Sequence, residues 1–195
     1  MRHEQSLPPG YFEDMFRETA DPWDLETSAY EREKYANTIA ALGARTYSHG
    51  FEIGCAKGVL TRMLAPLCTR LLAIDVSATA LASARKRCAG FPHVAFRKMA
   101  FPQQAPDRQR FDLVILSEVA YYWDDADLAR AGGWLTRHLR PGGDLLLVHW
   151  TGDTDYPQSG DDAVGKLGRS VAMPADVLRA DRRENYRLDL WRRRS

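Results

Sequence analysis

Short apolar runs that end on an acidic or polar residue alternate along this chain with longer stretches in which apolar positions recur every three or four residues. Phe51-Glu52-Ile53, Arg70-Leu71-Leu72-Ala73-Ile74-Asp75, Val94-Ala95-Phe96-Arg97, Phe111 to Leu116 and Asp144 to Trp150 read as five strands. The run from Phe111 to Leu116 is apolar almost throughout, as in strands covered on both faces of a parallel sheet, and is expected at the centre. Helical spacing follows Gly58 as far as Pro66, runs from Ala78 to Cys88 before Gly90-Phe91-Pro92, and extends from about Asp125 to Leu139 before the turn Arg140-Pro141-Gly142-Gly143. Strand and helix in regular alternation predict an α/β fold with a doubly wound, mostly parallel sheet and right-handed crossovers.

The flanks have a different pattern. After a polar start carrying Pro8-Pro9-Gly10, Tyr11, Phe12, Met15 and Phe16 fall at helical spacing; Asp21-Pro22-Trp23-Asp24 interrupts, and a second helix is expected from Ser28 to Leu42 with Gly43 as its stop. These first 45 residues form a helical cap, either packed over a sheet edge or closing over a ligand. Beyond Trp150, a polar loop to Asp162 precedes a short helix through Leu167. Tyr186 to Trp191 then alternates with period two, with Val177 to Arg182 as its partner strand, predicting an antiparallel hairpin at the sheet edge. Arg192-Arg193-Arg194 reads as a solvated tail. The whole is expected to be one domain, with a core at 46–150 and the loop and hairpin at 151–195.

Composition narrows the function. At 195 residues and 45% hydrophobic content the chain can bury a sizeable core, and a formal net charge of +1 leaves no electrostatic footprint for nucleic acid. No apolar run is long enough to span a bilayer, and Cys55, Cys68 and Cys88 lack metal-site or disulfide-framework spacing. A cytoplasmic protein with no metal and a small-molecule or oligosaccharide partner is expected; the oligomeric state stays open, with a monomer favoured.

The chemistry concentrates at Phe51-Glu52-Ile53-Gly54-Cys55-Ala56-Lys57-Gly58-Val59-Leu60, a strand, a glycine-containing turn and a helix start. Glycine lets backbone approach a ligand closely, and such a crossing is where open α/β sheets bind nucleotide-like cofactors. Asp75 ends the next strand 21 residues after Gly54, about the interval at which a carboxylate grips the two hydroxyls of a ribose; it could alternatively cap the helix that begins near Ser77. A dinucleotide fingerprint anchored on Gly54 needs glycine at 56 and 59, where Ala56 and Val59 stand, so a dehydrogenase is disfavoured.

Glu52 to Gly58 instead resembles the E-x-G-x-G-x-G motif of class I S-adenosylmethionine-dependent methyltransferases, which have a Rossmann-like fold. Asp75, Phe111-Asp112-Leu113-Val114 and Leu139-Arg140-Pro141-Gly142-Gly143 follow in that family's order. A narrower resemblance, to the NodS family of rhizobial nodulation methyltransferases, is carried by Tyr11-Phe12-Glu13-Asp14-Met15-Phe16, Asp21-Pro22-Trp23-Asp24, Leu116-Ser117-Glu118-Val119, Tyr121-Tyr122, His149-Trp150-Thr151-Gly152, Asp155-Tyr156-Pro157 and Tyr186-Arg187-Leu188-Asp189. It implies methyl transfer from S-adenosyl-L-methionine, leaving S-adenosyl-L-homocysteine, to the free amine of a de-N-acetylated chitooligosaccharide.

The resemblance assigns cofactor contacts to Glu52, Gly54, Cys55, Ala56, Gly58, Asp75, Val76, Met99, Ala100 and Ser117; the N-terminal helices could close over the methionine half, with Trp23 or Tyr30 beside the sulfonium as a cation–π partner and Arg32 on the cofactor carboxylate or, alternatively, on a surface i,i+4 neighbour. Two positions depart from the pattern. Ala56 replaces the middle glycine, harmless in helix-start geometry and costly at positive φ; Met99 stands where an acid often meets the adenine. Glu118 and His149 are the candidates for handling the amine proton, His149 being equally readable as a core histidine. Tyr121, Tyr122, Trp150 and Tyr156 offer ring faces that suit a carbohydrate, with Trp123 beside them. Another small-molecule acceptor, or a non-catalytic cofactor-binding protein, are the alternatives.

Overall fold

Seven strands form among the described residues, 2–195, of the computed structural model. The chain divides into two units, Pro8–Met99 in one and Ala100–Ser195 with the residues up to Leu7 in the other.

In the first unit, α1 (Pro9–Glu18) and α2 (Ala29–Leu42) precede β1 (Gly50–Ile53), α3 (Val59–Leu64), β2 (Leu71–Asp75), α4 (Ala78–Arg87) and β3 (Val94–Lys98). The Ser28 hydroxyl accepts from the Glu31 N–H to start α2, and Gly43 at φ +64° stops it. β2 pairs in parallel with both β1 and β3, in register Ile53 to Ile74 and Asp75 to Lys98. Every residue of β1 and β2 is buried, while Arg97 and Lys98 expose the outer strand. The two N-terminal helices and the stop of α2 fall where the hydrophobic pattern places them, and each strand of this unit lies within a residue of its expected bounds.

The second unit contains β4 (Phe111–Ser117), α5 (Asp125–His138), β5 (Leu139–Trp150), α6 (Gly160–Ser170), β6 (Ala175–Arg182) and β7 (Tyr186–Arg193). β4 and β5 are parallel; β7 runs antiparallel to β5 and carries β6 on its other side. The sheet pairs are thus parallel except at the C-terminal hairpin, the mixed arrangement expected. Leu113 to Leu116 and Leu145 to Val148 are wholly inaccessible, and each such leucine contributes about 1.5–3 kcal/mol through burial.

Two expectations need correction here. Arg140 to Gly143 is not a connection before the last parallel strand: β5 already pairs at Leu139 with Phe111, and the four residues bulge out before Asp144 pairs with Leu113, with Gly142 at φ +71°. Nor is Arg192-Arg193-Arg194 a solvated tail. Arg192 sends Nε and Nη2 to the two oxygens of the wholly buried Asp144 at 2.7 and 2.9 Å, and Arg193 donates to the carbonyls of Thr136 and Leu139. Arg194 pairs with Asp176. A carboxylate inside a sheet requires a paired, bidentate cation, so this end of β7 is held by charge as well as by the ladder.

Candidate active site

In the first unit the turn after β1 departs from ordinary backbone at three alternate residues: Gly54 at φ +75°, Ala56 at +45° and Gly58 at +76°. The alternation folds the chain so that the Gly54 and Cys55 N–H groups both donate to the Ile74 carbonyl at 2.9 Å, and the Gly58 N–H closes onto the Cys55 carbonyl. Ala56 therefore does not have helix-start geometry. Its left-handed conformation costs an L-residue about 1 kcal/mol, and its N–H is fixed by a 2.8 Å bond to Oδ2 of Asp75.

Asp75 is 8% exposed and takes the Ser77 N–H on Oδ1 at 2.8 Å, so each carboxylate oxygen holds one backbone donor and keeps a lone pair for another. Burial pushes its carboxyl up, against those bonds. It does not cap α4: Ser77 does, by accepting from the Ala80 N–H. Glu52 is 2% exposed, its Oε2 has no hydrogen-bond partner, and burial raises its carboxyl to about 7.

Gly58 and Cys55 also serve the packing of this unit. A Cβ on Gly58 would lie 2.9 Å from the Ala84 Cβ, so its bare Cα serves the approach of α4. The Cys55 side chain is packed with Ala73 and Leu81 in the core, while Gly54, Ala56 and Val76 are half-buried. The Met99 N–H donates to the Asp75 carbonyl at 3.0 Å, beyond the end of β3.

The cap is fastened to this turn by charges that the sequence reading passed over. Lys57 pairs with Glu26, and with Asp21 at 3.9 Å; Arg87 reaches Glu26 at 2.7 Å. Glu13 of α1 accepts from the hydroxyls of Ser77 and Thr79, both at 2.8 Å, and from the Thr79 N–H. The Ser77 bond, ahead of those from Thr79, holds the Glu13 carboxyl down at about 2, and a carboxylate at the first turn of α4 also favours the helix dipole. The signal was present as an acid in the Tyr11-to-Phe16 motif and a lysine inside the glycine turn. Trp23 packs edge-on against Phe16 at 5.4 Å, and the exposed Arg32 donates to the Thr27 carbonyl at 2.6 Å, a backbone acceptor rather than a carboxylate.

In the second unit, Glu118 follows β4 at φ +58°, a rare conformation for a non-glycine residue. Its Oε2 accepts from the Tyr121 hydroxyl at 2.7 Å and from the Trp150 N–H at 2.9 Å. Tyr121 stacks on Tyr156, centroids 5.4 Å apart and planes at 14°, and Tyr122 meets both rings edge-on. Burial pushes the Tyr121 and Tyr122 phenols well above their usual range, so both are neutral donors. Glu118, Tyr121, Tyr122, Tyr156 and Trp150 are thus brought into one cluster. His149 is wholly buried, with Nε2 accepting from the Ala120 N–H at 3.2 Å.

Trp123 belongs to the core, packed on Phe101. Ser117 is half-buried at the end of β4, and the Ala100 N–H donates to the Gln104 side chain. The strap before α1, which carried no motif, is tied to the same cluster: Leu7 N–H to the Tyr122 carbonyl at 3.0 Å, His3 N–H to the Asp155 carbonyl at 2.7 Å, and Ser6 to Asp124 and Asp127. Among the described residues no group of His, Cys, Asp and Glu is arranged to hold a metal, and no helix is long and apolar enough to cross a membrane.

A glycine turn with alternate left-handed residues, a carboxylate ending the next strand, and a mostly parallel sheet finished by an antiparallel hairpin make up the class I methyltransferase fold. Over 96% of its length the chain is similar to the crystal structure of the N-methyltransferase NodS from Bradyrhizobium japonicum WM9 in complex with S-adenosyl-L-homocysteine, at 25% identity, with a TM-score of 0.83 and 99% of that chain covered. It is also similar to a putative methyltransferase from Pseudomonas syringae, at 36% identity and a TM-score of 0.71, over 85% of this chain and 100% of that one. The Nodulation protein S (NodS) family model matches residues 13–149, and Nodulation protein S of Rhizobium tropici is 37% identical over 129 residues, 65% of this chain and 54% of that protein. The chain belongs to the NodS family. It spans about half to three-fifths of the length of the curated nodulation proteins it matches.

Proposed function

We propose that this protein transfers the methyl group of S-adenosylmethionine to the free amine of a de-N-acetylated chitooligosaccharide. The first unit fits the cofactor on chemical grounds. Two buried carboxyls, Glu52 and Asp75, are both pushed up by burial, and Glu52 Oε2 is unpartnered; a ligand carrying an ammonium, a sulfonium and a vicinal diol supplies the positive charge and the donors they lack. Asp75 would hold the diol through its two remaining lone pairs, and the half-buried backbone of Gly54 and Ala56 would lie along the ligand. Cys55, Val76, Met99, Ala100 and Ser117 would contribute backbone or packing, and Trp23 a ring face. Ala56 supports rather than opposes binding, since it keeps the left-handed turn and its bond to Asp75.

When bound, the cofactor supplies an electrophilic methyl group, so the protein has to present an amine with a free lone pair. The observation that carries the reading is Glu118, a carboxylate on a strained backbone, pinned by the Trp150 N–H and the Tyr121 hydroxyl. A fixed carboxylate attracts the substrate's ammonium, orients its nitrogen and takes up the proton that must leave before attack. Tyr121 and Tyr122, neutral throughout, keep the site free of a competing anion. The rings of Tyr156 and Trp150 suit the C–H faces of a sugar.

The similar NodS of Bradyrhizobium japonicum WM9 is an N-methyltransferase whose structure contains the demethylated cofactor product, which supports the same chemistry for this chain. Incubation with S-adenosylmethionine and a chitotetraose whose terminal amine is free should give a product heavier by one methyl group on that nitrogen, and the fully N-acetylated tetraose should give none. No transfer to the free-amine tetraose by protein that binds S-adenosylhomocysteine would overturn the substrate assignment and point to another small acceptor; failure to bind S-adenosylhomocysteine would overturn both.

A further inference from the structure

Three consecutive residues of β5 each hold one point of the turn after β4. The Val148 carbonyl accepts the Glu118 N–H at 2.8 Å, the His149 ring accepts the Ala120 N–H at 3.2 Å, and the Trp150 N–H donates to the Glu118 carboxylate at 2.9 Å. The first and last of these points are on Glu118 itself, whose backbone is left-handed at φ +58°, and the middle one is two residues further on. Such a conformation persists only where surrounding bonds over-determine it. Ala120 is wholly buried, so its N–H has no water to turn to and requires a protein acceptor.

We infer that His149 is a positioning residue for methyl transfer, whose Nε2 lone pair anchors the Ala120 N–H and thereby holds Glu118 in its strained, substrate-facing conformation. The inference rests on the proposed role of Glu118 and adds to it. For Nε2 to accept, the ring must carry its proton on Nδ1, so the working form of His149 is neutral with one defined tautomer. An imidazolium offers no acceptor at Nε2; it would release Ala120 and let the Glu118 turn relax. The Tyr121 ring meets the His149 ring nearly edge-on at 5.5 Å and 78°, linking the same histidine to the phenol that donates to Glu118. His149 itself is wholly buried and acts through the turn rather than on the amine.

The test combines two substitutions of His149 with one of Glu118. His149→Gln places an amide oxygen at about the reach of Nε2 and keeps an acceptor, whereas His149→Leu fills the space without one. With the free-amine chitotetraose as probe, His149→Leu should lower kcat on the order of 100-fold, as expected for a misplaced reacting group, while KM and S-adenosylhomocysteine affinity stay near wild type. His149→Gln should recover most of the rate. Glu118→Gln and His149→Leu combined should be no slower than Glu118→Gln alone, because one acts through the other.

Amide hydrogen exchange of the ligand-free protein provides an arm that needs no substrate. Exchange at Ala120 should speed up in His149→Leu and remain protected in His149→Gln. Multiplying rate losses in the double variant, or unchanged exchange at Ala120 in His149→Leu, would overturn the inference. If His149→Leu fails to bind S-adenosylhomocysteine, the decision passes to His149→Gln: protection of Ala120 with wild-type kcat supports the anchor, and loss of both refutes it. A wild-type kcat in Glu118→Gln would instead overturn the reading of Glu118, whatever His149 does to the backbone.

Discussion

The two units place their chemistry in different parts of the polypeptide. In the unit from Pro8 to Met99 the candidate ligand surface is mostly backbone: three left-handed residues, the N–H groups they turn, and one carboxylate, Asp75, that accepts from the Ala56 N–H of that turn and from the Ser77 N–H. Its named side chains, such as that of Cys55, point into the core. In the unit that includes Ala100 to Ser195 the site is made of side chains, a carboxylate and a cluster of rings, and the backbone serves to hold them. A surface of main-chain groups can serve any protein that uses one cofactor, because it does not depend on side-chain identity. A surface of side chains can be altered for each acceptor.

This contrast yields predictions in order of size. Glu118→Gln keeps the hydrogen bonds but loses the charge and the base; kcat should fall by about 100-fold or more, the usual worth of a positioned general base, with cofactor affinity unchanged. A fall in cofactor affinity of similar size would erase the division between the units. Asp75→Ala should do the reverse, weakening S-adenosylhomocysteine by about 100-fold through lost charge-assisted hydrogen bonds; an unchanged calorimetric affinity would remove Asp75 from the cofactor site.

Glu52→Gln has a pH signature. In the folded, ligand-free protein burial raises this carboxyl to about 7 from an ordinary 4.5. The unfolded chain therefore releases its proton first as pH rises, and folded stability declines through that window, by at most about 3 kcal/mol. The substitution removes the decline. Thermal melts should show the variant more stable above pH 7 and the two proteins converging below pH 4.5; parallel curves would mean that Glu52 is not held protonated. The smallest effect belongs to Ala56→Gly. Glycine relieves about 1 kcal/mol of left-handed strain and gives part of it back through the unfolded chain. S-adenosylhomocysteine affinity should stay within about threefold of wild type, and a tenfold gain would show that the Ala56 methyl group obstructs the ligand.

The same contrast explains what could be read from the residues. The five core strands, the hairpin and the place of Asp75 at the end of β2 were legible because hydrophobic period and glycine spacing act locally. Ala56 was legible only as a question: alanine does not by itself choose positive φ, and what imposes it is the bond from its N–H to a carboxylate nineteen positions on. Gly58 was readable as a turn glycine, and only the packed helix shows that its missing Cβ also makes room for Ala84. Arg192 looked like a tail residue because nothing in its neighbourhood reveals that Asp144 is buried opposite it. Glu118 was chosen for its place after a strand, but its backbone strain, its bond to Trp150 and the role of His149 are products of tertiary structure. Ser6, Leu7 and Glu13 were missed for the same reason, since their partners lie far along the chain.

The division of labour is tested most directly by calorimetric titration of S-adenosylhomocysteine into the wild type, Asp75→Ala and Glu118→Gln side by side. The account predicts saturable binding to the wild type, the same affinity for Glu118→Gln within experimental error, and binding about 100-fold weaker for Asp75→Ala. Absence of heat with the wild type, or equal weakening in both variants, would contradict it.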